Sequence, residues 1–444
     1  MYGDISRLTF DRAKRYSRVV YQQGRVFLDA DPNEQTEILL DLQRSFIAQL
    51  VGQHGGPPNS EGFRIKAKQE GTKTIDLEIG EGPYYVDGIL CECGKRAPDK
   101  QTTYFTQDNY PVTTETDPLP ADPAKFLAYL DVWERHVSAL EDASLHESAL
   151  GGPDTAARTQ VVWQVKVTSN SDLVDQAVAF IKNPRTATPV LGEFIREKVE
   201  RTEAGRLAAR LRPGATSADP CAMSPGAQYR GLENQLYRVE IHAVNGGGTT
   251  YKWSRDNGSV VFGVLGVTKN DVRVASFGRD ATRGLVNGSL VELINDDSVL
   301  RGTPGTLTTV IDARREEGKV TVEGPINNFD SKTLKHPLLR RWDGTGVVNP
   351  GAWHPLEAGI EIQFGAVEGL VPGDYWLIPA RTAAGQIEWP VQSDGTGLPL
   401  PGELPPLGIR HHYAPLALVG PGATVKGLRN LVSVLTKLEK TPGT

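Results

Sequence analysis

Sulfur is scarce in this chain, with three cysteines and two methionines in 444 residues. Cys91-Glu92-Cys93 alternates too closely for an ordinary disulfide and is not a C-x-x-C redox motif. With Cys221 the count is odd, which favours synthesis in a reducing compartment. Long apolar runs are missing too: no window approaches the roughly 20 apolar residues of a membrane helix, so no direct membrane span is expected. The opening MYGDISRLTF has neither the basic nor the apolar region of a secretory signal, which points to cytoplasmic synthesis without a signal peptide. Nor does either charge dominate. A net charge of −6 leaves no footprint for nucleic acid or an anionic membrane. There is no G-x-S-x-G elbow, P-loop or G-x-G-x-x-G, and His146-Glu147 runs on into Ser148-Ala149-Leu150 rather than H-E-x-x-H. Catalytic, cofactor-binding and metal-binding residues are accordingly expected to be none.

What is abundant is punctuation. Forty-seven glycines and 30 prolines favour many turns over long helices, and the length calls for two to four domains. Short strand-like segments recur, among them Thr74–Ile79 and Gln235–His242, which alternate, and Phe126–Glu134, Gln160–Val167, Thr249–Ser254, Leu290–Leu293, Ile360–Phe364 and Tyr413–Val419. The fold class expected is mainly β with a few helices (α+β), multidomain, an N-terminal arm and helix followed by β-sandwich or barrel-like domains. The expected divisions are an arm and amphipathic helix over 1–52, a small β-rich domain over 53–170 and a helical segment with linker over 171–220. A sandwich-like domain follows over 221–372, then a C-terminal β segment with a short helix near 427–438. Leu207 and Leu211 are counted in the second helical stretch.

One helix start is sharp. Asp31 stands as the N-cap, Pro32 as first helical residue and Glu34 three places on, after a short strand-like run over 24–28. Ile38, Leu39, Leu42, Phe46, Ile47 and Leu50 then form one apolar stripe that needs a partner surface. Asp29, Asp31 and Glu34 do not make a calcium loop, lacking the glycine at the sixth place and the glutamate at the twelfth. The arm before the helix, with Arg7, Arg12, Lys14, Arg15, Arg18 and Arg25, is too polar to feed a core of its own.

The residues Gly3-Asp4-Ile5-Ser6-Arg7, Thr9-Phe10, Tyr16-Ser17-Arg18-Val19 and QQGRVFLDADPNEQ resemble the start of an uncharacterised bacterial family. Its genes turn up in clusters for contractile, phage-tail-like injection particles. Members commonly carry Trp after LDAD, where this chain has Pro32. The likeness continues through YLDVWERHVSALED, YRGLENQLYRVEIH, YKWSRDNGSVVF, GDYWLIPAR and GIRHHYAPLALV. It implies a non-enzymatic structural component of such a particle, at the baseplate or an attached fibre, whether the particle is released or membrane-attached. Partners would be other subunits of the particle, including further copies in a symmetric assembly. Docking residues would be Arg7, Tyr16, Arg18, Gln22, Gln23, Arg25, Asp29, Asp31 and Glu34.

Two alternatives stand beside this. Trp342, Trp353 and Trp389 sit near Pro, Gly and Asp and could form a ligand surface for a glycan or receptor. A metal-dependent hydrolase would need His354, His411 and His412 to converge, although adjacent histidines on a strand face opposite ways. Trp133-Glu134-Arg135-His136 offers acid and base groups, read here as a polar strand edge.

Overall fold

The computed structural model describes residues 2–71, 73–94, 100–121, 124–183, 195, 205–212, 228–246, 248–280, 282–326, 335–393 and 399–432. The chain is mainly β, in three bodies threaded one inside another. In the first, a four-stranded antiparallel sheet runs in the order Thr424–Gly427, His412–Gly420, Phe126–Val137, Arg158–Thr168. It closes over the three-stranded sheet His54–Gly55, Gly82–Val86, Ile89–Cys93 and the hairpin Ile65–Glu70 with Lys73–Ile79. Phe63, Tyr84, Cys91, Leu130, Val132 and Leu416 share this core. Both faces of Phe126–Val137 are covered. Ala128, Leu130 and Val132 face the core, while Leu127 and Tyr129 meet helix α2 (Ser171–Lys182) through Leu173, Val174 and Ala177. That is why this strand reads as an apolar run rather than an alternation.

The second body is a sandwich. Its larger sheet runs Gly344–Val347, Gly248–Ser254, Gln235–Asn245, Tyr375–Arg381, Gln386–Ile387, and the smaller runs Trp353–Pro355, Ile360–Phe364, Leu207–Leu211. Asn245 pairs with Gly248, so the expected hairpin is present. Leu207 and Leu211 are not helical: they pair with Phe364 and Ile360, and a strand placed there buries Leu207 and Ala209 in the sandwich core. Strands on both sides of position 372 share the larger sheet. The third body is a closed six-stranded barrel, Val261–Thr268, Asp271–Val274, Lys319–Val322, Thr306–Arg314, Leu290–Ile294 and Leu338–Trp342, filled by Phe262, Val272, Val291, Leu293, Val310 and Leu339.

The sheets of the first body are thus interrupted after Thr168 and resume at His412, with α2 packed on them; within that excursion the chain leaves the sandwich after Ser254 and returns at Gly344. A short helix, α3 (Asp296–Arg301), docks the barrel on the first body. Leu300 packs on Trp133 and Val162, and Arg301 pairs with Asp117 at 3.0 Å.

Helix α1 covers Ala30–Val51. It begins one residue earlier than the expected cap, because Asp29 stands at its head with its carboxylate taken by the Ser6 N–H at 2.8 Å, and Asp31 lies inside the first turn. Residues 24–28 pair with no strand; only a turn lies there, and Val26, Phe27 and Leu28 are exposed. Residues 424–427 form a strand, and 428–432, the described part of the expected late helix, are not helical, being held by the Leu428 N–H to Leu416 and by pairing near Gly56; residues 433–444 lie outside the described residues. So do Cys221, Leu191, Phe194, Val199 and the expected linker from 213 to 220.

Candidate functional site

Helix α1 lies across the turn Asp87-Gly88 of the first body. Gly88 has φ +79°, and a Cβ there would run into the Arg44 carbonyl, so glycine permits the close approach. Arg44 clamps Glu134 with two bonds, 2.9 and 2.7 Å, and Ile38 is fully buried. These contacts use one side of the helix only. Leu39, Leu42, Phe46 and Leu50, spaced by three and four residues, stay 52–63% exposed.

The segment before the helix adds to the same face. Gln35, four residues before Leu39, accepts the Val19 N–H at 2.8 Å and holds the loop against it. Along that loop Tyr16, Val20, Tyr21, Val26 and Phe27 are exposed, and Tyr21 stacks on Phe27 at 5.5 Å. Arg18, Gln22, Gln23, Arg25 and Asp29 are exposed with them, and Asp31 and Glu34 are half-buried. Of the docking residues expected from sequence, Arg7 is instead taken up within the chain, pairing with Glu388 of the sandwich at 2.7 Å.

The front of the arm behaves otherwise, and here the expectation of an arm unable to feed its own core is corrected. The Tyr2 hydroxyl donates to both oxygens of Glu240, at 2.9 and 2.8 Å. Its ring centroid lies 4.0 and 3.8 Å from the guanidiniums of Arg238 and Arg340, and Trp342 meets it edge-on. Gly3 is buried, accepts a bond from Asn257 at 3.0 Å, and lies against His136 of the first body. Tyr2 and Gly3 thus sit where all three bodies meet.

Around them the seam between sandwich and barrel is ionic and buried. Lys252 bonds Glu292 at 2.6 Å and Glu240 at 3.1 Å, and Arg238 bonds Glu240 at 2.6 Å. Each of these four side chains is 2–3% exposed. Burial by itself would raise the Glu240 carboxyl; Lys252, Arg238 and the Tyr2 hydroxyl more than reverse it and hold it at about 2. Burial, then the Glu240 charge, pushes the Tyr2 phenol up to about 12. Burial also pushes His136 down to about 4. The sequence marks this seam only as the polar alternate positions of an otherwise apolar strand, Arg238 and Glu240.

The other candidates separate. Trp342, expected in a loop, lies in a barrel strand, 1% exposed, its indole N–H donating to Glu292 at 2.9 Å. Trp353 is half-buried under Arg210, whose guanidinium is 3.8 Å from the ring. Trp389 donates to the Gly402 carbonyl at 2.8 Å beside the sandwich core. His411 bonds Asp131 and His412 bonds Asp87, each at 2.7 Å, while His354 packs on Tyr251 and Phe364 in the sandwich; the three histidines do not meet. Glu134 is held by Arg44, Arg135 by Gln160 and Asp296, and Glu147 caps a short turn, so those groups converge on no cleft. Among the described residues, no group of three metal-ligating side chains occurs and no helix is long and apolar enough to cross a membrane.

A family model described as "Family of unknown function (DUF6519)" matches residues 1–187 and 195–429. The chain belongs to this family. No curated protein and no solved structure matches it.

Proposed function

We propose that this family member is a non-enzymatic structural subunit of a multi-copy assembly, docking through its arm and the outer face of α1. The observation that carries the reading is the apolar face made by Leu39, Leu42, Phe46 and Leu50 with the loop beside it. A helix of 22 residues anchored on one side keeps its largest side chains in water on the other, and burying each against a partner is worth about 2 kcal/mol. Helix α2 shows the usual outcome within this same chain, where the apolar side is covered. The particle in question is, in our reading, a phage-tail-like contractile injection particle, with this subunit at the baseplate or an attached fibre. That finer assignment is supported by the resemblance of the segments from Gly3 to Gln35.

The test is gradient fractionation of native host extract, comparing the natural chain with the double variant Leu42→Glu, Phe46→Glu. We expect the natural chain to travel with large sheath-containing particles and the variant to stay at the top as a folded small species. Both forms at the top would end the particle reading; both with the particles would end the role of α1.

A further inference from the structure

The tyrosine peg at the seam is held by chemistry that does not depend on which copy of the chain supplies it. We propose that Arg238, Glu240, Arg340 and Trp342 form a receptor for the segment Tyr2–Thr9, and that in the assembly this receptor takes the segment from a second copy. The proposal rests on the multi-copy reading above and gives it a specific joint.

Three observations carry it. First, recognition is by side chain. A phenol hydroxyl spans both oxygens of a buried carboxylate, two guanidiniums lie against the ring, and no strand pairing ties residues 2–9 to any sheet. The next residue is selected as well. Gly3 has φ +141°, and a Cβ there would sit 3.2 Å from the His136 ring, so the ligand is a tyrosyl-glycyl segment. Second, beyond the buried bond from Asn257 to the Gly3 carbonyl, the segment is fastened near the surface, by Arg7 to Glu388, the Ser6 carbonyl to Arg381 and the Ser6 N–H to Asp29. Third, residues 10–28 form a largely exposed strap with two short turns, at 12–14 and 23–24, and few bonds to α1. About 20 residues reach up to roughly 65 Å when extended.

An emptied receptor leaves Arg238, Lys252 and Arg340 facing Glu240 and Glu292 around a vacant ring site, so filling it with a tyrosine, from whichever copy, is favourable. Contacts are the same whether the segment is its own or a neighbour's. Local concentration then decides, and an assembly that holds copies side by side favours exchange.

Nicking tests the receptor without asking a truncated chain to fold. A protease site placed between Arg15 and Tyr16, both exposed, is cut after folding, and a fluorescent peptide of residues 1–15 is added in excess. We expect the cut fragment to stay with the body and be replaced by the peptide, while a Tyr2→Ala peptide binds at least about tenfold more weakly. A fragment that falls away with no uptake, a fragment that never exchanges, or equal binding of the Tyr2→Ala peptide each overturns the receptor. Exchange is read by a photo-cross-linker at the exposed position 8 in a concentrated mixture of isotope-labelled and unlabelled chains. Mixed-isotope products quenched by the peptide are expected, and same-isotope products alone overturn the exchange. Light scattering that gives a monomer at every concentration overturns the multi-copy reading itself, and the nicking result still judges the receptor.

Discussion

Two regions of this molecule invert the usual distribution of polarity, in opposite senses. The seam between sandwich and barrel buries Arg238, Glu240, Lys252 and Glu292, while the outer face of α1 leaves Leu39, Leu42, Phe46 and Leu50 in water. Each pattern alone is ordinary amphipathic sequence. In the strand Gln235–Asn245, Tyr237, Val239 and Ile241 serve the sandwich core, and the charged alternates would face solvent in a free-standing sandwich. The barrel, returning its strand Leu338–Trp342 over that face, covers them. In α1 the same logic runs the other way, since nothing among the described residues returns to cover the stripe. Polarity thus reports what a face is built to meet only once the covering element is known.

The seam should break most severely. Glu240→Gln removes the carboxylate that Arg238 and Lys252 share, leaving buried cations short of a partner, so a loss of about 3–5 kcal/mol in urea unfolding is expected. A change below about 1 kcal/mol would mean that water reaches the seam. Acid should act next. His54 and His136 are held by burial at about 4, below their ordinary 6.5, so the unfolded chain takes up the proton first. Their contribution is complete above pH 6.5 and fades as pH falls towards 4, at most roughly 3 kcal/mol each. The Glu240 contribution is present above pH 4.5 and fades towards pH 2. Unfolding free energy measured from pH 7 to 4 should therefore fall before any carboxylate of the seam titrates, and a flat profile would contradict the burial of both imidazoles.

A smaller effect is expected where α1 is seated. Gly88→Ala sets a methyl against the Arg44 backbone at a positive φ and should cost about 2 kcal/mol, seen as faster hydrogen exchange along α1 with the barrel unaffected. Smallest for folding, and the sharpest contrast with the seam, is Phe46→Ala. The ring is 63% exposed, so stability of the isolated chain should move by less than about 0.5 kcal/mol. Its association with partners should weaken by about 2 kcal/mol. A large loss of folding stability instead would show that the stripe is covered within one chain.

Much of the β architecture was legible in residue order. Gln235–His242, Tyr413–Val419 and the turn joining Val244 to Thr249 follow from period-two alternation, a short apolar run and turn chemistry, because those signals are local. Leu207 and Leu211 misled because three- and four-residue spacing in a short stretch fits a strand as well as a helix, and the pairing with Ile360–Phe364 decided it. Asp31 was a sound cap by type, but Asp29 had a distant claimant in Ser6. Trp342 looked superficial beside Asp343 and Gly344, and the barrel seam swallowed it. Of the candidate site, periodicity gave the apolar residues of α1 but not their division, with Ile38 buried, Ile47 half-buried and Leu39, Leu42, Phe46 and Leu50 exposed; the berth of Tyr2 was not readable at all, because its partner Glu240 lies 238 residues away.

The amino-acid sequence by itself determined where most of the strands and helices α1 and α2 form and which of their faces are apolar, since backbone preference and side-chain period act over a few residues. Only the tertiary structure decided which faces are covered. The nesting of barrel within sandwich within first body joins segments hundreds of residues apart, and burial, ion pairing and the berth of Tyr2 all arise from that enclosure.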